Sequence, residues 1–379
     1  MTPLSNYVLL TGATGLLGRY LLKDLLLSGQ QVCAVVRGSS DQVASERVEA
    51  IVKEWEDELD RTLPRPVSFA ADVCTEGLGL SSTAKQWLTE NCRSIIHNAA
   101  VVSFDQNSNG DPARTNVGGT ENILAICKEC GIDDFHYVST AYVCGFRTDR
   151  IMEADLDCGQ TFRNPYEESK FRAETLVRTA EYLNQVTVYR PAVIAGDSKT
   201  GYTYTYHGIY HYLKLISLLV RNVQPDENGL RYTPVRLDMT GEESRNVIPV
   251  DWVSEVISHL FGSQEAHGRT FHLAPDTPLT PRRIIEAGYS YFNSYGVEFC
   301  GNNGAFGKPS NQMEQDYHSN MTVYKNYEQS DPEFDTSNVK QFAPHLPCPP
   351  IDEAMLHRFW KYGEEDGWGK GATTRASAS

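Results

Sequence analysis

No apolar run in the sequence approaches the ~18 to 20 residues that a membrane-crossing helix needs, since stretches such as 25–27 and 215–220 end far too soon. Positive charge is also short: 34 Lys and Arg against 49 Asp and Glu give a formal net charge of −15. That balance argues against a chain that wraps nucleic acid or lies on an anionic membrane. Any anionic ligand must therefore meet locally placed positive charge. The opening residues lack the basic stretch, apolar core and small-residue cleavage site of an export signal, so none is expected. A disulfide framework is missing too, because the nine cysteines are odd in number and scattered. Reduced thiols and a cytoplasmic location are the expectation. Cys127 and Cys130 form a CxxC, but no second pair completes a zinc site, and Gly131 closes the helix beside them. Both are read as buried small residues, and no metal site is expected.

The 379 residues, 40% of them hydrophobic, suffice for one large core or two modest ones. Short apolar runs at 7–10, 31–36, 67–70, 94–97, 135–138 and 186–190 alternate with amphipathic stretches, among them a helix over 17–27. This is the βαβ pattern of a parallel sheet covered on both faces. Residues 32–36 are continuously apolar, as a strand buried on both sides should be. Another helix is expected to open at Asn116 and close at Gly131. Beyond about residue 198 the texture changes, with tyrosines at 202, 204, 206, 210 and 212 and a helical run over 210–222. The expected fold is α/β, a Rossmann-type doubly wound parallel sheet with a smaller substrate-binding lobe. The nucleotide-binding domain should span 1–200 and take up the chain again over 245–275. The lobe should comprise 201–244 and 276–366, with 293–337 mostly loops or an irregular cap, and 367–379 should form a disordered tail.

The first strand runs into Thr11, Gly12, Ala13, Thr14, Gly15, Leu16, Leu17 and Gly18, and then into a leucine-rich helix. Glycines in that position permit a tight turn and close approach of backbone to a pyrophosphate, which the helix amino terminus attracts. The second strand ends without the acidic residue that would grip the adenosine ribose of NAD. Arg37 stands there instead and can pair with a 2′-phosphate, which points to NADP(H); Asp41 is the residue that would reverse this by folding back onto the ribose. Asp72 and Val73 follow the third strand, near where adenine would lie. Asn98, Ala99 and Ala100 follow the fourth, where small residues let backbone lie against a cofactor.

The reaction centre is read from 164–170. Asn164 caps a helix with Pro165 in its first turn, so Tyr166 and Lys170 fall four apart on one face. The lysine ammonium and the positive helix end should both favour the tyrosine phenolate, equipping it for proton exchange with a substrate oxygen. Thr140, just past the fifth strand, can hydrogen-bond the same oxygen, with Ser139 as the rival hydroxyl.

Taken in order, TGATGLLG at 11–18, HNAA at 97–100, NVGGT at 116–120, YVSTAYVCG at 137–145, YEESK at 166–170, RPAVIAGD at 190–197 and NVIPVDWV at 246–253 resemble the extended short-chain dehydrogenase/reductases. The resemblance extends from Thr11 to about Leu273. It is nearest to the thioester reductase and fatty acyl reductase branch, of the male-sterility type. Aligned on Gly145, it implies Thr140, Tyr166 and Lys170 as the catalytic set. It further implies that Lys170 holds the nicotinamide ribose, that Pro191, Val193 and Ile194 line the nicotinamide, and that Asn116 belongs to the cofactor side. In that branch NADPH reduces an acyl thioester of CoA or of a carrier protein, and Thr140 and Tyr166 would stabilise the thiohemiacetal oxygen. Ser103, Phe104 and Arg245 stand as substrate-side candidates.

Three other readings stay open. A sugar-nucleotide epimerase or dehydratase uses the same fold and triad with retained NAD and would place Arg245 on a diphosphate. A ketone or dihydroflavonol-like reductase shares the carbonyl chemistry. A degenerate binding protein would have lost the triad, which is intact here. The partners expected are thus a small-molecule, CoA-bound or carrier-bound substrate, with no nucleic acid and no transmembrane segment, in a monomer or homodimer.

Overall fold

The computed structural model describes residues 6–301, 307–327 and 329–370. The strands are β1 (Tyr7–Thr11), β2 (Gln31–Val36), β3 (Val67–Ala70), β4 (Cys92–His97), β5 (Asp134–Val138), β6 (Gln185–Pro191), β7 (Val193–Ala195), β8 (Arg231–Leu237), β9 (Val247–Pro249), β10 (Thr270–Leu273) and β11 (Ser294–Phe299). The helices are α1 (Leu16–Leu27), α2 (Asp41–Leu59), α3 (Ser82–Asn91), α4 (Gly119–Cys130), α5 (Pro165–Arg178), α6 (Ile209–Arg221), α7 (Val250–Gly262), α8 (Pro281–Phe292), α9 (Gln312–Met321), α10 (Ser337–Phe342) and α11 (Glu353–Glu365). Among them no helix is long and apolar enough to cross a membrane.

Seven parallel strands form the central sheet in the order β10-β6-β5-β4-β1-β2-β3. Alternation along β1 explains why its sequence is apolar throughout. Val8 and Leu10 face one cluster with Leu21 and Leu25 of α1 and Val253 and Ile257 of α7. Leu9 faces the other, with Leu88 of α3, Ile123 of α4 and Val177 of α5. Each fully buried Leu or Ile contributes roughly 1.5–3 kcal/mol, so these two layers set the doubly wound architecture. Strand order reverses between β1 and β4, which opens a crevice at their carboxyl ends.

A second apolar cluster gathers α6, α8 and α11 around Leu213, Ile285, Phe359 and Trp360, with the Trp360 indole N–H donating to the Leu213 carbonyl at 2.9 Å. The short parallel pair β8–β11 and α9 belong to this lobe. The expectation of loops over 293–337 therefore needs correcting. Strand β11 depends on pairing with β8, far away in sequence. Helix α9 begins at Asn311, whose side chain accepts from the Glu314 N–H at 2.9 Å. Within the stretch expected to build only the lobe, α10 packs on the main core through Val339 and Ala343. At the chain end, Gly367–Gly369 forms a 3-10 turn with Trp368 against Tyr206. The rest of the expected tail, 371–379, lies outside the described residues.

Candidate active site

The glycine turn is shaped by contacts that leave no room for side chains. Gly12 has φ +70°, and a Cβ there would come within 2.8 Å of the Ala99 backbone. Gly18 lets α1 seat on the turn, since its Cβ would fall 1.9 Å from the Gly12 carbonyl oxygen. No side chain caps the amino terminus of α1 at Gly15, which leaves its first-turn amides able to hold an anion, and Thr14 and Leu16 beside it are half-buried. Leu17 and Gly18 pack inward.

Two residues expected on the cofactor side turn inward. Thr11 is fully buried, and its hydroxyl oxygen accepts from the N–H groups of Asn98 at 3.1 Å and Ala99 at 3.0 Å. Its own proton is thereby directed to His97 Nδ1 at 2.8 Å. Burial, with Lys170 adding to it, pulls the His97 imidazole down to about 3, so the ring is neutral and its Nε2–H points to Thr120 Oγ at 3.1 Å. Thr120 in turn donates to the Asn116 carbonyl at 2.6 Å. Asn116 does not open a helix; it is buried inside a π-helical turn, Arg114–Gly118, that leads into α4. Its side chain accepts from Val101 N–H at 2.8 Å and donates to Ser169 Oγ at 2.9 Å, tying the turn after β4 to α5. The carboxyl end of α4 is as expected, with Gly131 at φ +70°.

Arg37 ends β2 exposed, with its carbonyl held by Arg47. Asp41 does not fold toward a ribose: its carboxylate accepts from the Ala70 N–H at 2.8 Å, joining α2 to β3. Asp72 accepts from Cys74 N–H at 2.9 Å, and Val73 packs against Gly119. Asn98 donates to the Gly12 carbonyl at 3.3 Å, Ala99 is half-buried and Ala100 exposed. Pro191 ends β6, and Val193 and Ile194 are half-buried in β7.

Tertiary contacts separate the two rival hydroxyls. Ser139 donates to Glu174 at 2.7 Å, and Glu174 also accepts from Arg190 at 2.6 Å and Arg178 at 2.8 Å. Burial works to raise the Glu174 carboxyl, yet Arg190, Arg178 and Ser139 together hold it below its ordinary value. Ser139 is thus committed to a buried ionic network. The Thr140 hydroxyl stays out of that network and is near enough to Tyr166 to pull the phenol's pKa downward. Asn164 caps α5 as expected, accepting from the Glu167 N–H at 3.0 Å.

The expected phenolate is not what this environment favours. Burial pushes the Tyr166 hydroxyl up to about 12, Glu167 acts in the same direction, and only the Thr140 hydroxyl opposes them. Lys170 is buried, donates to the Val138 carbonyl at 2.7 Å and lies 4.3 Å above the Tyr137 ring. Burial pulls its ammonium down to about 7, with Glu174 opposing. Burial is the largest influence on the Tyr166 hydroxyl, and it acts against the phenolate.

A wall from the distant lobe was not legible in the sequence. Tyr327 donates to Glu167 at 2.8 Å, accepts from Asn164 at 2.5 Å and stacks on Phe104. Asp331 accepts from the Tyr142 hydroxyl at 2.9 Å and the Asn246 N–H at 2.7 Å. This segment buttresses the start of α5 across a sequence gap that no local motif could bridge. Arg245 supports it by donating to the Gln329 carbonyl at 2.8 Å, while Ser103 donates within its own turn to Asp105 at 2.7 Å. Phe104 therefore joins the wall beside the triad, and Arg245 and Ser103 hold backbone.

A family model described as "Male sterility protein" matches residues 10–257. The nonribosomal peptide synthetase asaC of Aspergillus flavus is 30% identical over 296 residues, covering 73% of this chain and 27% of that protein. Among the curated relatives it matches first, the chain spans from 5% to 27% of their length. The terminal R domain of the myxalamid PKS-NRPS pathway superposes with a TM-score of 0.75 at 26% identity, covering 98% of this chain and 93% of that one. A thiolation-reductase di-domain of an archaeal nonribosomal peptide synthetase gives a TM-score of 0.71 at 21% identity, with coverages of 97% and 76%.

Proposed function

This chain belongs to the male sterility protein family, within the NAD(P)-dependent oxidoreductases of the extended short-chain dehydrogenase/reductase type, and on that premise we propose that it reduces an acyl thioester with NADPH. The observation that carries the reading is the gathering of Thr140, Tyr166 and Lys170 at the carboxyl end of β5, where Lys170 donates to the Val138 carbonyl at 2.7 Å and Thr140 acts on the Tyr166 hydroxyl. The glycine cradle with its uncapped helix amino terminus suits a pyrophosphate, and Arg37 suits a 2′-phosphate. Bound NADPH would supply a hydride to the thioester carbonyl carbon.

Thr140 and Tyr166 would hydrogen-bond the carbonyl oxygen and stabilise the charge that develops there. A tyrosine raised to about 12 is fully protonated at neutral pH, so Tyr166 is a donor in the reducing direction. Its proton completes the thiohemiacetal, which collapses to an aldehyde as the C–S bond breaks and the thiol leaves. A second hydride and proton would convert the aldehyde to an alcohol. A relative named as a synthetase and a neighbour that joins a thiolation domain to a reductase favour a carrier-bound acyl group over a free ketone.

The test follows NADPH oxidation with acyl-CoAs, acyl-pantetheine thioesters, ketones and UDP-sugars, with Tyr166→Phe as control. Thioester turnover that falls by ~10² or more in the variant is the expected result. Turnover of ketones or UDP-sugars with none of any thioester, or full activity in Tyr166→Phe, refutes the reading.

A further inference from the structure

At the end of the sheet away from the triad, three buried polar atoms face one another without a hydrogen-bond partner: Asp134 Oδ1, His136 Nε2 and His267 Nδ1. Asp134 opens β5 and His136 lies two residues further along it, with its ring fully enclosed. His267 comes from the turn between α7 and β10, with its side chain 1% exposed. Asp134 lies 3.3 Å from His136 Nε2 through one oxygen and 3.4 Å from His267 Nδ1 through the other. One ligand atom from each residue falls within 4.8 Å of the others. Two donors bound at ~2.0–2.1 Å to a tetrahedral zinc ion stand about 3.3 Å apart, so a cluster of this span is small enough for one ion to reach an atom of each residue.

Each imidazole is held from behind, as metal-binding histidines are. His267 Nε2 lies 2.9 Å from the Phe261 carbonyl, which can only accept, so a proton sits there and Nδ1 is the ring nitrogen turned toward Asp134. His136 Nδ1 lies 2.9 Å from the Tyr189 hydroxyl. A lone pair buried against a carboxylate is repulsive unless a cation stands between them. A proton on each imidazole would serve the two carboxylate oxygens separately, whereas one metal ion would engage an atom of all three residues. A cavity of about 220 Å³, lined in part by Arg93, Ser94, Asp133, Gln264 and the cluster's own Asp134 and His267, adjoins the site. It has room for a water as fourth ligand.

We propose that Asp134, His136 and His267 form a divalent-cation site of zinc type, which staples the start of β5 to the turn between α7 and β10. Two imidazoles with one carboxylate suit Zn²⁺, whereas Mg²⁺ and Ca²⁺ seek oxygen ligands. The sequence offered no CxxC-like signal for it, because its third ligand comes from a distant element.

The full chain, stripped with a chelator and desalted, is titrated with Zn²⁺ alone; metal content is then measured by mass spectrometry after a second desalting, and Tm is recorded. One zinc per chain and a Tm rise of a few degrees are expected, with no rise from Mg²⁺. His267→Gln and Asp134→Asn should each weaken zinc retention by at least ~10-fold while leaving NADPH binding unchanged. Wild-type chain that keeps no zinc and shows no Tm response overturns the proposal, and that measurement stands whether or not the variants fold. Stoichiometric zinc that survives in both variants overturns it as well, by locating the ion elsewhere. None of these outcomes depends on which substrate is reduced.

Discussion

Replacing Ser139 and Thr140 one at a time separates a structural hydroxyl from a reacting one. Ser139 is one of several donors on the buried Glu174 carboxylate, at 2.7 Å, and the two arginines remain after its removal. A hydrogen bond to a charged group contributes ~1.5–3 kcal/mol, and the remaining donors put Ser139→Ala near the lower end, at about 1.5–2 kcal/mol of stability. The hydrogen bonds of Thr140 are long, to the Pro191 carbonyl at 3.4 Å and from the Tyr142 N–H at 3.3 Å. Thr140→Val keeps the branched shape and should cost under about 1 kcal/mol. Its effect should fall on kcat, which loses one of two donors to the developing oxyanion and drops by ~10²-fold or more. Urea denaturation measures the first quantity, and steady-state NADPH oxidation with a thioester the second. Ser139→Ala should therefore be less stable but nearly fully active, and Thr140→Val stable but slow. The reverse pattern, a slow Ser139→Ala of normal stability beside an active Thr140→Val, refutes the assignment.

Arg37→Gln should raise the KM for NADPH by about 10- to 100-fold and leave that for NADH unchanged, since a charge-assisted bond to a phosphate is lost; equal losses for both cofactors would remove Arg37 from the 2′-phosphate. Gly12→Ala meets the Ala99 backbone at 2.8 Å with φ +70°, so it should lower Tm and abolish NADPH binding in a fluorescence titration, and normal binding would contradict the cradle. Lys170 keeps its proton only up to about pH 7 in the folded chain but up to about pH 10.5 when unfolded. Between those values the unfolded chain holds more protons, so stability of the cofactor-free protein should rise with pH, by about 2 kcal/mol from pH 7 to 9. Lys170→Met should lack that increment in denaturant titrations at the two pH values; parallel profiles for wild type and variant would show that the burial penalty is not there.

Elements whose signals are local were legible. Residues 31–36 and 67–70 are strands with the expected bounds, and the first is so readable because a strand buried on both faces is marked by its own apolar run. The α5 start at Asn164 and Pro165 was readable from capping chemistry. Failures fall where one segment's structure depends on another. Strand β11 exists through β8, and the Asn116 side chain is drawn inward by Val101 and Ser169 rather than spent on a cap. Tyr327 reaches Glu167 from a part of the chain with no periodicity of its own.

The amino-acid order by itself determined the βαβ alternation, the glycine turn after the first strand, and the four-residue spacing of Tyr166 and Lys170, since each follows from side-chain periodicity, backbone freedom or capping within a few residues. Only the tertiary structure decided that Ser139 rather than Thr140 is committed to Glu174, that burial raises the Tyr166 hydroxyl, and that Asp134, His136 and His267 converge. Those outcomes turn on desolvation and on partners brought together from distant segments, quantities that no local stretch of sequence contains.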